Sequence, residues 1–388
     1  MRVVVLAALF ASGFAQQMQL ARNYSGTAFF DLWNYKVGND ATNFWGDPAN
    51  QGVVNFTDQA FALDQKLLFV NPAGNVVMRA DNFTSGAGNA SYVRNSVQVL
   101  SKDPITPGSL VIMDAVHMPF GCAVWPAFWM NGGANWPKLG EIDIVENVNL
   151  ATSNAYSLHT EQGCMASHQD AMTGNLVHTD CFNQTDFDTG CKVQDSDLSY
   201  GSGFANNGGG AFAFLWNDDG MKIWFFPRPT VPADLSTATP NPANWGTPTA
   251  FYSSATCDTT KFFGPQTMIL EIDVCGNFAV DDFSSTCSAV AAQCTDVVPN
   301  PAAFDNAYFE IRYLTVFSSS TTGITTTSSS ATSLSTAGPS TDSPSSAVSS
   351  QLPSTPTTAK SSGQSLYTLG PFSVLAGIVG LIFSLSSW

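Results

Sequence analysis

Short segments of alternating apolar and polar residues recur along most of the chain, and they restrict its fold more than any other feature. Between about residue 17 and residue 317 they are separated by Gly, Pro, Asn and Asp, which are typical of turns. Phe212, Phe214 and Trp216 occupy every second position of one segment, so a strand would place their rings on one face of a sheet. Ten segments are predicted to be strands: 76–81, 96–102, 110–117, 123–130, 141–148, 155–160, 211–217, 221–227, 268–275 and 308–317.

Helical patterns are scarce, and only residues 58–65 and 288–293 favour helices. Many short strands joined by turns are typical of an all-β sandwich or jelly roll. The chain has 388 residues, of which 44% are apolar, and this is enough for one large hydrophobic core. There is no internal repeat, so the sequence predicts one large all-β domain.

Three acids lie close together in residues 140–147, which run Gly-Glu-Ile-Asp-Ile-Val-Glu-Asn. Ile and Val that alternate with acids predict a strand with one buried face and one polar face. Glu141 and Asp143 share a face, whereas Glu146 is five positions beyond Glu141 and would point away from it in a regular strand. We therefore predict a β-bulge near Val145, which would bring all three acids to one face.

Acids held on one face repel each other, and the repulsion raises the pKa of at least one of them. One ionised and one protonated carboxyl group form the pair that glycosidases place on either side of the scissile bond. The alternative is a solvated acidic face on an edge strand. The tryptophan-rich run at residues 125–130 disfavours this alternative, because acids beside such a run fit the lining of a cleft better.

The segment resembles the Glu-x-Asp-x-x-Glu motif of glycoside hydrolase family 16, met here as Glu141, Asp143 and Glu146. Residues 125–129 are similar to the family's Trp-Pro-Ala-x-Trp, and residues 136–141, 220–228 and 245–248 resemble its fungal laminarinase branch, the endo-1,3(4)-β-glucanases. The resemblance covers roughly residues 20–318. Two positions depart from the family pattern: Gln98 stands where an Arg is frequent, and Asn277 where an Asp is usual.

The resemblance implies a β-jelly-roll sandwich of the concanavalin A-like type with a cleft across one sheet. It implies that Glu141 is the nucleophile, Glu146 the acid/base and Asp143 a helper between them. Trp129, Trp136 and Trp125 are candidate substrate-binding residues because aromatic rings can serve as platforms for the apolar faces of sugar rings, and the resemblance adds His159. For each tryptophan the alternative is a place in the core, and for His159 it is a structural hydrogen bond.

The implied function is a retaining endo-β-glucanase that hydrolyses β-1,3 or mixed β-1,3/1,4 glucan. Two alternatives stay open. A cell-wall glucan transglycosylase would form the same glycosyl-enzyme but pass it to a sugar instead of water. A non-catalytic glucan-binding lectin would use the same sandwich, although a binding module has no need of all three acids.

The net charge of −16 disfavours a nucleic-acid partner, and the low content of charged residues, 11%, suits a neutral glucan. Eight cysteines in a chain with a secretory leader predict disulfides, whose pairing the sequence does not determine. The histidines have no metal-ligand spacing. We expect a monomer without cofactors and without a metal in the site, although a structural calcium ion would be compatible with the sequence.

The chain is predicted to begin with a signal peptide at residues 1–16, followed by the catalytic domain at residues 17–318. Residues 319–361 are a Ser/Thr-rich segment, which predicts a disordered, O-glycosylated stalk. Residues 362–388 form a hydrophobic tail that is typical of a GPI-attachment propeptide, with Ser361 as the attachment residue. The alternative is a transmembrane helix. We expect a secreted protein at the cell surface or cell wall, anchored to the plasma membrane by GPI.

Five Asn-x-Ser/Thr sequons predict glycosylated loops in a secreted protein. They begin at Asn23, Asn55, Asn82, Asn89 and Asn183.

Overall fold

The computed structural model describes residues 18–89, 91–185 and 189–319, and most of its regular structure is β-strand. Strands are numbered here in chain order: β1 (Gln19–Tyr24), β2 (Trp33–Tyr35), β3 (Val54–Phe56), β4 (Leu68–Val70), β5 (Val76–Arg79), β6 (Arg94–Ser96), β7 (Gln98–Ser101), β8 (Ser109–His117), β9 (Val124–Asn131), β10 (Glu141–Glu146), β11 (Ala155–His159), β12 (Asn175–Leu176), β13 (Cys191–Gln194), β14 (Gly210–Asn217), β15 (Gly220–Pro227), β16 (Ala250–Ser253), β17 (Thr267–Val274) and β18 (Tyr308–Ser318).

The helices of the described residues are short. The α-helices are α1 (Gln59–Asp64), α2 (Gly201–Asn206), α3 (Thr259–Phe262), α4 (Gly276–Asp281), α5 (Phe283–Thr286) and α6 (Cys294–Val297). The 3₁₀-helices are Gly26–Leu32, Arg228–Thr230, Ala233–Ser236, Pro242–Asn244 and Pro301–Phe304.

One predicted helix is present and the other is not. Helix α1 forms where residues 58–65 predicted it, and the Asp58 side chain accepts a hydrogen bond from the backbone N–H of Phe61 at its start. The helix predicted at residues 288–293 is wrong, because this segment is a turn and bend between α5 and α6. Cys287 and Cys294 flank it and bind cysteines in two other parts of the chain, so cross-links fix a segment too short for a stable helix of its own.

The strands form two large antiparallel sheets. Sheet A has the order β16-β15-β14-β8-β18-β5-β4, and β1 also pairs with β18. Sheet B has the order β12-β13-β11-β10-β9-β17-β7-β2. The small β3–β6 pair is parallel and separate from both. The predicted all-β class is therefore confirmed.

The main core lies between the two sheets. Phe212, Phe214 and Trp216 of β14 are buried in the same cluster as Phe128 of β9 and Ile142 of β10, so the predicted aromatic face is confirmed. Burial of these large side chains is the chief stabilising contribution, at about 1.5–3 kcal/mol for each. Alternate residues of the same strands point outward, and the two outer faces differ.

The outer face of sheet A is covered by its own chain. A second apolar cluster joins Leu215 and Trp224 of the sheet to Leu235 and Trp245, which belong to the segment that follows β15. The rings of Trp224 and Trp245 meet edge to face, 5.5 Å apart. The outer face of sheet B instead lines a cleft.

All eight cysteines are paired, which confirms the prediction of disulfides. The bonds are Cys122–Cys287, Cys164–Cys257, Cys181–Cys191 and Cys275–Cys294. Two of them fix the segment containing α4, α5 and α6 beside sheet B, so this segment can serve as a stable wall of the cleft.

Within the described residues, no helix has both the length and the apolar character needed to cross a membrane. The predicted signal peptide, the hydrophobic tail and Ser361 lie outside the described residues, as does the predicted stalk apart from Ser319.

Candidate active site

Strand β10 contains the predicted bulge. Towards β9, Asp143 pairs with Trp129 and Val145 with Phe128, so Ile144 is an extra residue without a partner of its own. Ile144 and Val145 are both buried in the core, although they are neighbours in the chain. Glu141, Asp143 and Glu146 therefore share the outer face, which confirms the bulge inferred from their odd spacing.

Gly140 allows the chain to enter β10. Its φ is +74°, and a Cβ atom built on it would lie 2.3 Å from the ring of Phe263. Only glycine adopts this conformation without strain and leaves room for that ring. The position of Glu141 thus depends on the glycine that precedes it.

The first two acids meet His159 on β11. The Nε2 atom of His159 lies 3.2 Å from Oδ2 of Asp143 and 4.0 Å from Oε1 of Glu141. Asp143 is 3% exposed and His159 is 8% exposed, so this contact is shielded from water. Asp143 and His159 can therefore hold the Glu141 carboxylate in an oriented, polar surrounding.

Glu146 has a different environment from Glu141. The indole N–H of Trp125 donates a hydrogen bond to its Oε1 at 2.9 Å. Burial, followed by the charge of the nearby Asp143 carboxylate, raises the pKa of Glu146 to about 7, against the opposing effect of the hydrogen bond from Trp125. Repulsion between acids was the expected cause of a raised pKa, whereas burial is the larger one.

The predicted substrate-binding residues line one cleft of about 370 Å³ together with the three acids. Trp129 and Trp136 are partly exposed in it, and the Trp136 ring lies 6.1 Å from that of His159. Trp125 also lines the cleft, but its N–H is engaged with Glu146. The structure thus brings all seven predicted site residues together.

Sequence reasoning missed further acids that line the cleft, among them Glu271 of β17. The tripeptide Glu271-Ile272-Asp273 on β17 repeats Glu141-Ile142-Asp143, and this identity was a visible signal. Glu271 pairs with Ala127 of β9, which in turn pairs with Glu146, so the two glutamates face each other across a small side chain. Glu271 accepts a hydrogen bond from Gln98, and burial, followed by the charge of Asp40, raises its pKa well above the usual range.

Sequence reasoning also missed one wall of the cleft. Lys192 of β13 lines it, and its Nζ lies 5.6 Å from the centre of the Phe278 ring on α4. The Phe278 ring meets Trp125 edge to face, also at 5.6 Å. A lone lysine and a lone phenylalanine have no recognisable motif, so only the folded structure assigns them to the site.

Among the described residues, one group of three potential ligands is close enough to bind a metal ion. It consists of Glu141, Asp143 and His159, whose ligand atoms lie within 4.8 Å of one another. This group is part of the acid cluster itself. The prediction that the site needs no metal stays a prediction.

The five sequons differ in accessibility. Asn23 and Asn89 are exposed, and Asn183 is half-buried. The side chain of Asn82 donates to Asp305 at 2.8 Å. The sequon of Asn55 is the most enclosed, because Asn55 donates to Asn95 and its Thr57 is only 5% exposed. Glycosylation of all five stays a prediction.

The arrangement is suited to acid–base chemistry at an acetal. A carboxyl group with a pKa of about 7, that of Glu146, keeps a proton at mildly acidic pH, and a second carboxyl group on the same strand, that of Glu141, lies beside His159 of β11. Two carboxyl groups in unlike environments are what a displacement at an anomeric carbon requires.

Comparison with known proteins gives a family match across most of the described chain. Residues 42–317 match the model of the XgeA-like catalytic GH16 domain. A probable endo-1,3(4)-β-glucanase of Aspergillus fumigatus is 37% identical over 311 residues, which are 78% of this chain and 46% of that protein. The chain therefore spans about half the length of this relative.

Two solved structures are similar over 78% of the chain, each with a TM-score of 0.71. One is GH16 Laminarinase 16A from Phanerochaete chrysosporium with β-glucans in donor and acceptor sites, 35% identical and covered over 99% of its length. The other is an elongating GH family 16 β-1,3-glucosyltransferase, 33% identical and covered over 100%. The two-sheet sandwich of this chain is thus the jelly roll that the resemblance implied.

Proposed function

Because the chain belongs to glycoside hydrolase family 16, we propose that it is a retaining endo-β-glucanase that hydrolyses β-1,3 or mixed β-1,3/1,4 glucan. The observation that carries the proposal is the bulge in β10, which places two glutamates and an aspartate on one face of the cleft. Their unlike surroundings supply the two protonation states that double displacement needs.

The reaction would proceed in two steps. Glu141 attacks the anomeric carbon while Glu146 donates its proton to the leaving oxygen, and a covalent glycosyl-enzyme forms. Glu146 then removes a proton from water, whose oxygen attacks the anomeric carbon and displaces the Glu141 carboxylate, so the sugar is released with its original configuration. Asp143 and His159 orient Glu141, since Oδ2 of Asp143 and Nε2 of His159 are 3.2 Å apart beside it.

The choice of glucan rests on the cleft and on the relatives. Trp129 and Trp136 give aromatic faces on which pyranose rings can pack. The A. fumigatus relative is named a probable endo-1,3(4)-β-glucanase, and Laminarinase 16A was solved with β-glucans. These similarities favour β-1,3 and mixed-linkage glucan over other polysaccharides.

Transglycosylation is the second candidate function. It is favoured by the similarity to the elongating β-1,3-glucosyltransferase, which is close to that for the laminarinase in identity and TM-score. Both reactions share the glycosyl-enzyme and differ only in the acceptor. A lectin is disfavoured, because all three acids are present in the cleft.

We also propose that the protein is secreted and held at the cell surface by GPI at Ser361, as a monomer. Four disulfides support an oxidising compartment. The apolar start and the hydrophobic tail of the sequence support the leader and the anchor.

The proposal is tested on the protein expressed in a eukaryotic secretory host, with Glu141→Ala as the control. Laminarin, lichenan and a β-1,4-glucan are supplied, and initial products are followed by NMR. New β-anomeric reducing ends from laminarin, absent in the control, would establish the retaining β-1,3-glucanase. Longer oligosaccharides without new ends would establish the transglycosylase, and binding without turnover would leave the lectin.

A further inference from the structure

The bulge in β10 interrupts the pairing with β11, and one side chain takes its place. Asp143 pairs with Ser157 and Glu146 with Ala155, while the two residues between them have no partner on β11. The Oδ1 atom of Asn154 accepts a hydrogen bond from the backbone N–H of Glu146 at 2.9 Å. Its Nδ2 donates to the carbonyl oxygen of Ile144 at 2.8 Å.

Asn154 is itself held in place. It is fully buried, and its backbone N–H donates to Oγ of Ser199 at 2.8 Å. Its carbonyl oxygen accepts from the backbone N–H of Asp195 at 3.0 Å. Both partners belong to the segment before α2, so this segment fixes the backbone that carries the Asn154 side chain.

A second buried side chain from the same segment contacts the residue after Glu146. The hydroxyl of Tyr200 donates to the carbonyl oxygen of Asn147 at 2.9 Å. The backbone on both sides of Glu146 is therefore hydrogen-bonded to side chains as well as to neighbouring strands. Such contacts limit how far the Glu146 carboxyl group can move from the N–H of Trp125.

We infer that Asn154 is a positioning residue for Glu146, whose proposed role as acid/base the inference rests on. Only an amide side chain offers an acceptor and a donor at once in this geometry. An aspartate could accept from Glu146 but could not donate to Ile144, and an alanine could do neither. Loss of these bonds leaves two buried backbone groups unsatisfied and frees the bulge.

Freedom at the bulge would affect proton transfer more than nucleophilic attack. The groups that face Glu146 are Trp125, Asp143, His159, Lys192, Tyr200 and, across Ala127, Glu271. Glu141 lies before the bulge and keeps its register with β9 and β11. A displacement of about 1 Å in a catalytic group can cost about 10²-fold in rate.

The experiment compares Asn154→Ala with wild type on two substrates. Laminarin has a sugar leaving group that needs protonation, whereas dinitrophenyl β-laminaribioside has a leaving group that does not. We expect kcat on laminarin to fall about 100-fold. The initial burst of dinitrophenol, which reports formation of the glycosyl-enzyme, should change far less. Azide should restore the steady-state release of dinitrophenol by the variant, because azide attacks the glycosyl-enzyme without the help of a general base.

Asn71→Ala is the matched control. The Asn71 side chain accepts from the backbone N–H of Ala73 and Asn75 and donates to Glu310, all at the far edge of sheet A. The Asn71→Ala substitution should lower the melting temperature of the protein and leave kcat on both substrates unchanged. Equal losses of Asn154→Ala on the two substrates, or a lowered melting temperature with normal kcat, would overturn the inference.

Asn154→Asp keeps the test decisive if the alanine variant does not fold. It retains the acceptor for the backbone N–H of Glu146 and adds another carboxylate near Glu146, so the alkaline limb of kcat/KM should move to higher pH. An unmoved limb with normal kcat would overturn the inference. Wild-type turnover of both substrates sustains the proposed function whatever the variants do, whereas wild-type inactivity on both overturns the function and the inference together.

Discussion

The outer faces of the two sheets both arise because successive side chains of a strand point to opposite sides, but the two faces have different roles. On sheet A, Trp224 and Leu215 point outward and are covered by Leu235 and Trp245. On sheet B, the equivalent outward positions carry acids and tryptophans that remain open to a cleft. Sheet A therefore buries apolar surface on both sides, and sheet B buries it on one.

The difference shows where this molecule gains stability and where it gives some up. Buried apolar rings stabilise the fold, whereas buried acids such as Glu271 and Asp273 oppose it unless they keep their protons. The open face can tolerate these acids because the covered face and the shared core supply the stability. Substitutions on the two faces should thus have separable effects.

The largest effect is expected on the open face. Glu141→Gln should lower kcat/KM on laminarin by about 10⁴-fold or more, because no nucleophile remains. Its melting temperature should stay close to that of wild type, since Glu141 lies at the cleft surface. Assays on laminarin and thermal unfolding measure the two quantities. A residual rate within tenfold of wild type would refute the assigned role.

Glu146→Gln should cost about 10²–10⁴-fold on the same substrate. The pKa of Glu146 is raised to about 7, so the acid is protonated below that pH and loses its proton above it. Wild-type kcat/KM should therefore decline above about pH 7, and this limb should be absent in the variant. A wild-type profile that stays flat to pH 9 would show that another group donates the proton.

On the covered face, Trp224→Ala should lower the free energy of unfolding by about 3–5 kcal/mol. Trp224 is 3% exposed, packs on Trp245 and donates its N–H to the carbonyl oxygen of Gly246. The kcat of the folded fraction should be unchanged. Denaturant unfolding and active-site titration test this, and a lowered kcat in folded protein would break the separation between the faces.

The smallest effect concerns Glu271 and the pH dependence of stability. Burial, followed by Asp40, raises the pKa of Glu271, while Lys36 lowers it and Glu146 raises it. The folded state thus holds this proton more tightly than the unfolded chain does. The contribution of the protonated Glu271 side chain to stability is complete at pH values below the ordinary carboxyl pKa range. It is lost as pH rises through the raised pKa of Glu271.

Glu271→Gln should therefore flatten the fall in melting temperature as pH rises above the ordinary carboxyl range. A change of about 1 kcal/mol would appear as a shift of about 2–4 °C. Asp218→Asn, at an exposed turn between β14 and β15, serves as the control and should leave the slope as it is. Identical slopes in wild type and Glu271→Gln would show that Glu271 is already ionised in the folded state.

The sequence alone predicted ten of the eighteen strands of the described residues and the bulge, because both follow from local periodicity. The odd offset between Glu141 and Glu146 admitted one simple solution, and the structure confirms it. Disulfides followed from an even cysteine count, but their pairing depends on which strand ends meet in space. The helix predicted at residues 288–293 failed for the same reason, since distant cysteines fix its ends.

The residues that the sequence did not predict reach the site through the pairing of strands and belong to no recognisable motif. Asn154 reaches the bulge only because β11 lies beside β10, and nothing near Asn154 in the sequence indicates that neighbour. Lys192 reaches the cleft through the pairing of β13 with β11. Glu271 could have been predicted from the sequence, because its tripeptide repeats that of Glu141. Only the sheet order, however, places Glu271 and Glu146 on either side of Ala127.

The pairing of β1 with β18 has a consequence for engineering. Gln19 lies opposite Ser318, so the first and last strands of the described domain run side by side on sheet A. A short linker could join these ends, and new termini could be opened at the exposed turn near Asp218. The domain is therefore a natural candidate for circular permutation or for insertion into a loop of another protein, with the cleft on the other sheet left intact.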